Sequence, residues 1–297
     1  MLLTVQAHCT PIPQSTLPKT IPPNPPPDFF DRLLVNNTWS QPWEYIRPIS
    51  PSTPVPSPTD YDYITPLTDP SSPILRCGRT TSPYNTNTAI IQAGSTVGFT
   101  VNTTVGLPIP NAPQMPWDLY PNLYHPGPAS AWLSRVPASS SLDTYAGEGD
   151  WFKIHSAVRR TPQSVPPTDA YVWKHQWATY QATNWTFSIP ASTPSGEYLL
   201  RFEHIYPLPV ESLQGAQFYV NCAQVRIVGD GRGVPGPVVG IPGVYEFGQK
   251  GMCVCGGGRE WDFADLVYAE IYFYADVGNE TYDIGDFVEP APAVWLG

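Results

Sequence analysis

Charged side chains are scarce in this 297-residue chain, 13% of the total, with 15 Lys and Arg against 25 Asp and Glu for a net charge of −10. Such a chain offers little to a phosphate backbone, so nucleic acid is excluded as an expected partner. No uninterrupted apolar run approaches the roughly 20 residues that cross a bilayer, so a soluble protein with no membrane partner is expected. Cysteine is sparse too: five residues, an odd number that leaves at least one without an intrachain partner. Long helices are excluded by 38 prolines spread along the chain, because proline inside a helix removes a hydrogen bond and clashes with the preceding turn.

What the chain has in quantity is aromatic surface, with 17 Tyr, 11 Phe and 10 Trp, residue types that favour pleated, half-buried positions. The length suits one large domain with extensions. Alternating segments separated by Pro/Gly turns predict an all-β fold, an immunoglobulin- or fibronectin III-like β-sandwich with long loops. AIIQAGSTVGFTV, residues 89–101, reads as a core strand with its Gly-Ser turn.

Residues 1–7, MLLTVQA, have the character of the end of a secretory signal, with small Ala7 last. Residues 8–28 are a proline-rich insertion or linker, and order is expected from Phe29. Residues 29–297 then form a single β-sandwich domain of catalytic type, interrupted by an atypical insertion at about 252–270. Cys253 and Cys255 in that insertion lack the further ligands that would complete a zinc site. Sequons at Asn36, Asn102, Asn184 and Asn279 are compatible with secretion.

The stretch Phe202–Val228 is the organising segment. Its second half alternates, with Phe218, Val220 and Cys222 on one face and Gln217, Tyr219 and Asn221 on the other, the pattern of a strand with one buried side. Gln217 and Tyr219 are therefore neighbours on a face expected to look outward at a site. Upstream, His125 precedes a Pro-Gly-Pro turn that would hold its imidazole still.

The runs FFDRLLVNNTW, HPGPASAWL, SGEYLLRFEH, GAQFYVNCAQ and the closing PAPAVWLG, in this order along most of the chain, resemble the fungal lytic polysaccharide monooxygenases of auxiliary activity family 9, formerly glycoside hydrolase family 61. The resemblance implies one type 2 copper ion in a histidine brace: an N-terminal histidine binding through its amine and ring, a second histidine, and an axial tyrosine. Residue by residue, His125 matches the second histidine, Tyr219 the axial tyrosine and Gln217 the glutamine that hydrogen-bonds near bound oxygen. His8, after Ala7, is the candidate for the first histidine and would need cleavage at that point. Cys77 and Cys222 match the family's disulfide, the alternative being two buried thiols. Tyr282 matches a substrate-surface tyrosine.

The implied activity is oxidative cleavage of cellulose or related β-1,4-glucans at C1 and/or C4, with an external electron donor and O2 or H2O2, by a secreted, extracellular monomer. One departure is Leu208, where the family usually has a histidine. His204, His155 and His175 match no motif and read as ordinary surface or strand histidines. A glycoside hydrolase would need two carboxylates at a set separation, and Glu203, Asp150, Glu148 and Glu197 show no such pairing in the sequence. The remaining alternative is a secreted β-sandwich that binds glucan or copper without turnover.

Overall fold

The computed structural model describes residues 29–49, 66–80, 83–101, 122–167, 174–207, 216–245, 284, 287 and 289–297. Among these, nine strands and two short 3-10 turns, Pro73–Leu75 and Lys174–Gln176, account for the regular structure. The strands are β1 Phe30–Val35, β2 Thr38–Trp39, β3 Ala89–Gln92, β4 Thr96–Val101, β5 Ala129–Arg135, β6 Trp151–Ala157, β7 Asn184–Ser188, β8 Gly196–Tyr206 and β9 Gln217–Val228. They form a four-stranded sheet, β2-β1-β4-β7, and a five-stranded sheet, β3-β9-β8-β5-β6. This is the β-sandwich the sequence predicts.

Local chemistry explains the turns. β1 and β2 are joined by Asn36 and Asn37, both at positive φ (51° and 61°), the left-handed pair a two-residue hairpin turn needs and asparagine tolerates. Residues 89–101 are not one strand. The turn at Ala93–Ser95, with Gly94 at φ +87°, divides them into β3, parallel to β9, and β4, antiparallel to β1 and β7. The alternating pattern persists because both pieces bury one side, yet each joins a different sheet.

Between the sheets lies an aromatic core. Phe202 of β8 meets Phe30 edge-on at 4.7 Å and stacks on Phe99 at 5.2 Å. Residues 198, 200 and 202 of β8 and 219, 223, 225 and 227 of β9 belong to this inner cluster. Phe218, Val220 and Cys222 belong to a second cluster on the outer side, with Leu67, Leu75 and Tyr245. β9 is therefore buried on both faces, and Arg226 is its sole exposed residue. The expectation of one buried side is corrected: Gln217 and Tyr219 lie on the inner face, at one end of the sandwich, because loops cover the outer face. One of these loops pairs directly with the strand, through reciprocal hydrogen bonds between Leu67 and Phe218 of 3.1 and 2.8 Å.

The Cys77–Cys222 disulfide ties that covering loop to β9 across a separation of 145 residues. Closing a loop of this size stabilises the fold by about 4–5 kcal/mol in the chain-entropy account. Beside it, Arg201 and Glu203 of β8 form an ion pair of 2.5 Å with both side chains fully buried. Arg201 also donates to the carbonyls of Leu75 (Nη2, 3.0 Å) and Arg76 (Nε, 2.9 Å). The Tyr245 hydroxyl donates to Glu203 at 2.5 Å, and the Ser130 hydroxyl does so at 3.2 Å. The Arg201–Glu203 pair thus fastens two loops to the sheet, one through Arg201 and one through Glu203. Burial first, and Glu203 second, hold the Tyr245 phenol well above its usual range.

His155 of β6 accepts a hydrogen bond from the Trp185 indole at 3.0 Å and stacks on Phe187. Desolvation pulls its pKa from 6.5 down to about 4, against a smaller upward pull from Glu289. Below pH 6.5 the unfolded chain takes up a proton that the folded one refuses until about pH 4. Stability present above pH 6.5 is therefore lost as pH falls through this window, by up to about 3 kcal/mol at about 1.4 kcal/mol per pH unit. Urea denaturation across the window is expected to show that slope. His155→Gln, which retains an acceptor for Trp185, is expected to flatten it, and an unchanged slope in the variant contradicts the assignment.

Candidate metal centre

His125 sits in the segment that leads into β5, and three neighbours fix that segment. Leu123 exchanges backbone hydrogen bonds with the turn at 181–182, donating to Ala182 at 3.0 Å and accepting from Gln181 at 2.8 Å. The Thr179 hydroxyl donates to the Gly127 carbonyl at 3.4 Å, and the Ile205 amide donates to Pro128 at 2.9 Å. Gly127 has no room for a side chain, since a Cβ there would stand 1.8 Å from the Ile205 carbonyl oxygen and 2.8 Å from Pro207. The loop is thus pressed onto the end of β8, and His125 is held with 2% of its surface exposed.

β9 brings the other two expected residues to the same place. The Tyr219 hydroxyl lies 3.4 Å from His125 Nε2, and the two rings stack at 5.0 Å with 21° between planes. The Tyr219 hydroxyl donates to Gln217 Oε1 at 2.6 Å. Its proton is therefore committed to the amide, which leaves an oxygen lone pair for the His125 side. Residues 94 apart in sequence meet here, as the family resemblance implies.

Two neighbours were not legible beforehand. His204 stands directly opposite Tyr219 in the β8/β9 register, fully buried, its ring 6.0 Å from the phenol and 27° from parallel. It is a strand histidine, as one of the two ordinary readings had it, but the surface reading is corrected: it faces the inner side at the site. Tyr206, opposite Gln217, places its ring 4.6 Å from His125. Burial, then nearby Tyr124, pushes the Tyr206 phenol up to about 12, so it stays protonated at neutral pH. The available signal was the two-residue spacing of His204 and Tyr206 on β8, the same spacing as Gln217 and Tyr219 on β9. Tyr124, 36% exposed, meets His125 edge-on at 5.7 Å.

The donor chemistry fits copper. An imidazole nitrogen and a phenol oxygen 3.4 Å apart suit a transition metal that favours nitrogen, whereas calcium and magnesium take oxygen ligands. Among the described residues no group of three or more His, Cys, Asp or Glu gathers in a way that could hold a metal ion, here or elsewhere. His8, Tyr282, Leu208, Cys253 and Cys255 lie outside the described residues. Of the carboxylates weighed for hydrolysis, Glu203 is engaged by Arg201 and Tyr245, Glu197 by Arg226 at 2.7 Å and Glu148 by the Ala146 amide at 3.1 Å, while Asp150 is exposed.

Comparison with known proteins identifies the family and the fold. The family model described as "Auxiliary Activity family 9 (formerly GH61)" matches residues 28–256. The chain is 33% identical over 274 residues to AA9 family lytic polysaccharide monooxygenase U of Thermothielavioides terrestris, covering 89% of this chain and 90% of that relative. It is 34% identical over 227 residues to AA9 family lytic polysaccharide monooxygenase H of Malbranchea cinnamomea, covering 76% of this chain and 83% of that relative. Among solved structures it is similar in fold to Cel61B of Hypocrea jecorina, a glycoside hydrolase family 61 member, with TM-score 0.60, 19% identity, and 90% and 100% of the two chains covered. A cellulose-active polysaccharide monooxygenase from M. thermophila superimposes with TM-score 0.57 and 20% identity, covering 91% and 99% of the two chains. With the family match running through most of the sandwich, and relatives of this similarity along most of its length, the chain belongs to Auxiliary Activity family 9.

Proposed function

We infer that the protein is a copper-dependent lytic polysaccharide monooxygenase that cleaves cellulose or related β-1,4-glucans oxidatively at C1 and/or C4. The observation that carries this reading is the 3.4 Å approach of His125 Nε2 to the Tyr219 hydroxyl, backed by Gln217. In this reading His125 would supply one ligand nitrogen and Tyr219 an oxygen to the metal. His8, freed by cleavage after Ala7, supplies its ring and α-amine. The start of the family match at residue 28 supports a domain beginning at Phe29, after a linker. Copper held by these residues would supply, together with an external electron donor and O2 or H2O2, the oxidising power that hydrogen removal from a glycosidic carbon requires.

This chain's residues do the positioning. Gln217 holds the phenol proton, so Tyr219 acts as a neutral oxygen donor. Stacking on Tyr219 and the clamped loop set the direction of the imidazole. Partly exposed Tyr124 beside His125 offers a ring face to a glucan, and Tyr282 is proposed to do the same. An extracellular location fits the disulfide and the exposed sequon asparagines Asn36 and Asn184.

The test uses secreted protein whose amino terminus has been read by mass spectrometry. It is incubated with copper, a reductant and cellulose, and the products are resolved by mass. Oxidised cello-oligosaccharides are expected from the parent and none from His125→Gln. Products carrying only ordinary reducing ends overturn the reading.

A further inference from the structure

We propose that Tyr206, on β8, is a positioning residue for the His125 imidazole, pinning that ring against Tyr219. The proposal rests on reading His125 as the metal ligand. Tyr206 pairs with Gln217 in the β8/β9 register, while Tyr219 pairs with His204. The two tyrosines are therefore diagonal neighbours on adjoining strands, the spacing at which large aromatic side chains still reach one another. The His125 ring rests on this diagonal, 5.0 Å from one phenol and 4.6 Å from the other.

The backbone leaves the imidazole little choice of partner. The loop bearing His125 is seated on the stretch of β8 that carries Tyr206, through the Ile205–Pro128 hydrogen bond and the close approach of Gly127 to Ile205. Seated this way, the loop brings His125 to position 206. The histidine ring torsion is broad and roughly two-fold, so packing must select the orientation that aims Nε2 at the Tyr219 oxygen. Tyr219 supplies a wall nearly parallel to the imidazole, and Tyr206 a second one inclined at 50°. Two walls at different inclinations define a ring plane that one wall leaves free to slide and turn. The Tyr206 contact is made by the ring, so the ring and not the hydroxyl carries the effect.

Tyr206→Phe and Tyr206→Ala separate these contributions, with two readouts on the full secreted chain. The first is the order of the His125 ring in metal-free protein, from 13C relaxation of labelled imidazoles, the signal being assigned by its loss in His125→Gln. The second is Cu(II) affinity with the electron paramagnetic resonance spectrum. Phe is expected to match the parent in both. Ala is expected to mobilise the His125 ring, to weaken copper binding about tenfold or more, and to broaden the spectrum into more than one species. An Ala variant whose His125 ring stays as ordered as the parent's overturns the proposal, even if its melting temperature falls. If the parent binds no copper, the metal reading fails instead, and the relaxation data still decide the role of Tyr206.

Discussion

Gly127→Ala is expected to reduce copper affinity by about 10- to 100-fold and to abolish glucan oxidation while leaving a folded sandwich. The added Cβ would lie 1.8 Å from the Ile205 carbonyl oxygen, a backbone atom inside the β8 ladder that cannot swing aside like the end of a side chain. The strand is held on both edges by β5 and β9, so the loop must yield. A shift of about 1 Å at the reacting geometry is enough to cost about a hundredfold in rate, and the His125 ring moves with its loop. Overpacking itself costs about 1–3 kcal/mol, which the disulfide-tied sandwich absorbs. Isothermal titration with Cu(II) and a thermal melt, run side by side, check both halves. Parent-like copper affinity would show that the loop is not what places His125.

Glu203→Ala is the second large effect, and it acts on stability. Removing the carboxylate leaves the Arg201 guanidinium, fully buried, without its counter-charge. Breaking a buried pair in this way costs about 3–5 kcal/mol, whereas replacing both members by apolar residues of similar volume is often neutral. The Tyr245 and Ser130 hydroxyls lose their acceptor at the same time, which loosens the loop over the outer face of the sheet. Urea denaturation is expected to show the full loss in Glu203→Ala and most of it restored in Arg201→Met with Glu203→Leu. A single variant as stable as the parent would mean that the guanidinium is satisfied by the Leu75 and Arg76 carbonyls alone.

These cases show which features were legible in the sequence. The period-two runs and the Pro and Gly turns are local, and they placed β9 and the fold class, while the alternation over 89–101 covers two strands, β3 and β4. The resemblance carried the long-range facts that no local rule contains: the Cys77–Cys222 bond and the meeting of His125 with Tyr219. Which face of β9 is the inner one was not legible. Alternation separates two faces without saying what covers each, and here a loop pairing at Leu67 covers the other side. Glu203 and His204 were hidden for a similar reason. One is buried beside Arg201, two residues away on the same strand face, and the other against a cross-strand phenol. What covers the strand face decides the first and register the second, and both emerge only once the sheet is assembled.

The most direct test of the metal centre is a Cu(II) titration, followed by electron paramagnetic resonance, of secreted protein and its His125→Gln variant. The parent is expected to bind a single copper ion per chain with nitrogen ligation visible in the spectrum, and the variant to lose both the affinity and that signature. Equal binding and an identical spectrum in the two proteins would place the copper elsewhere and contradict the account.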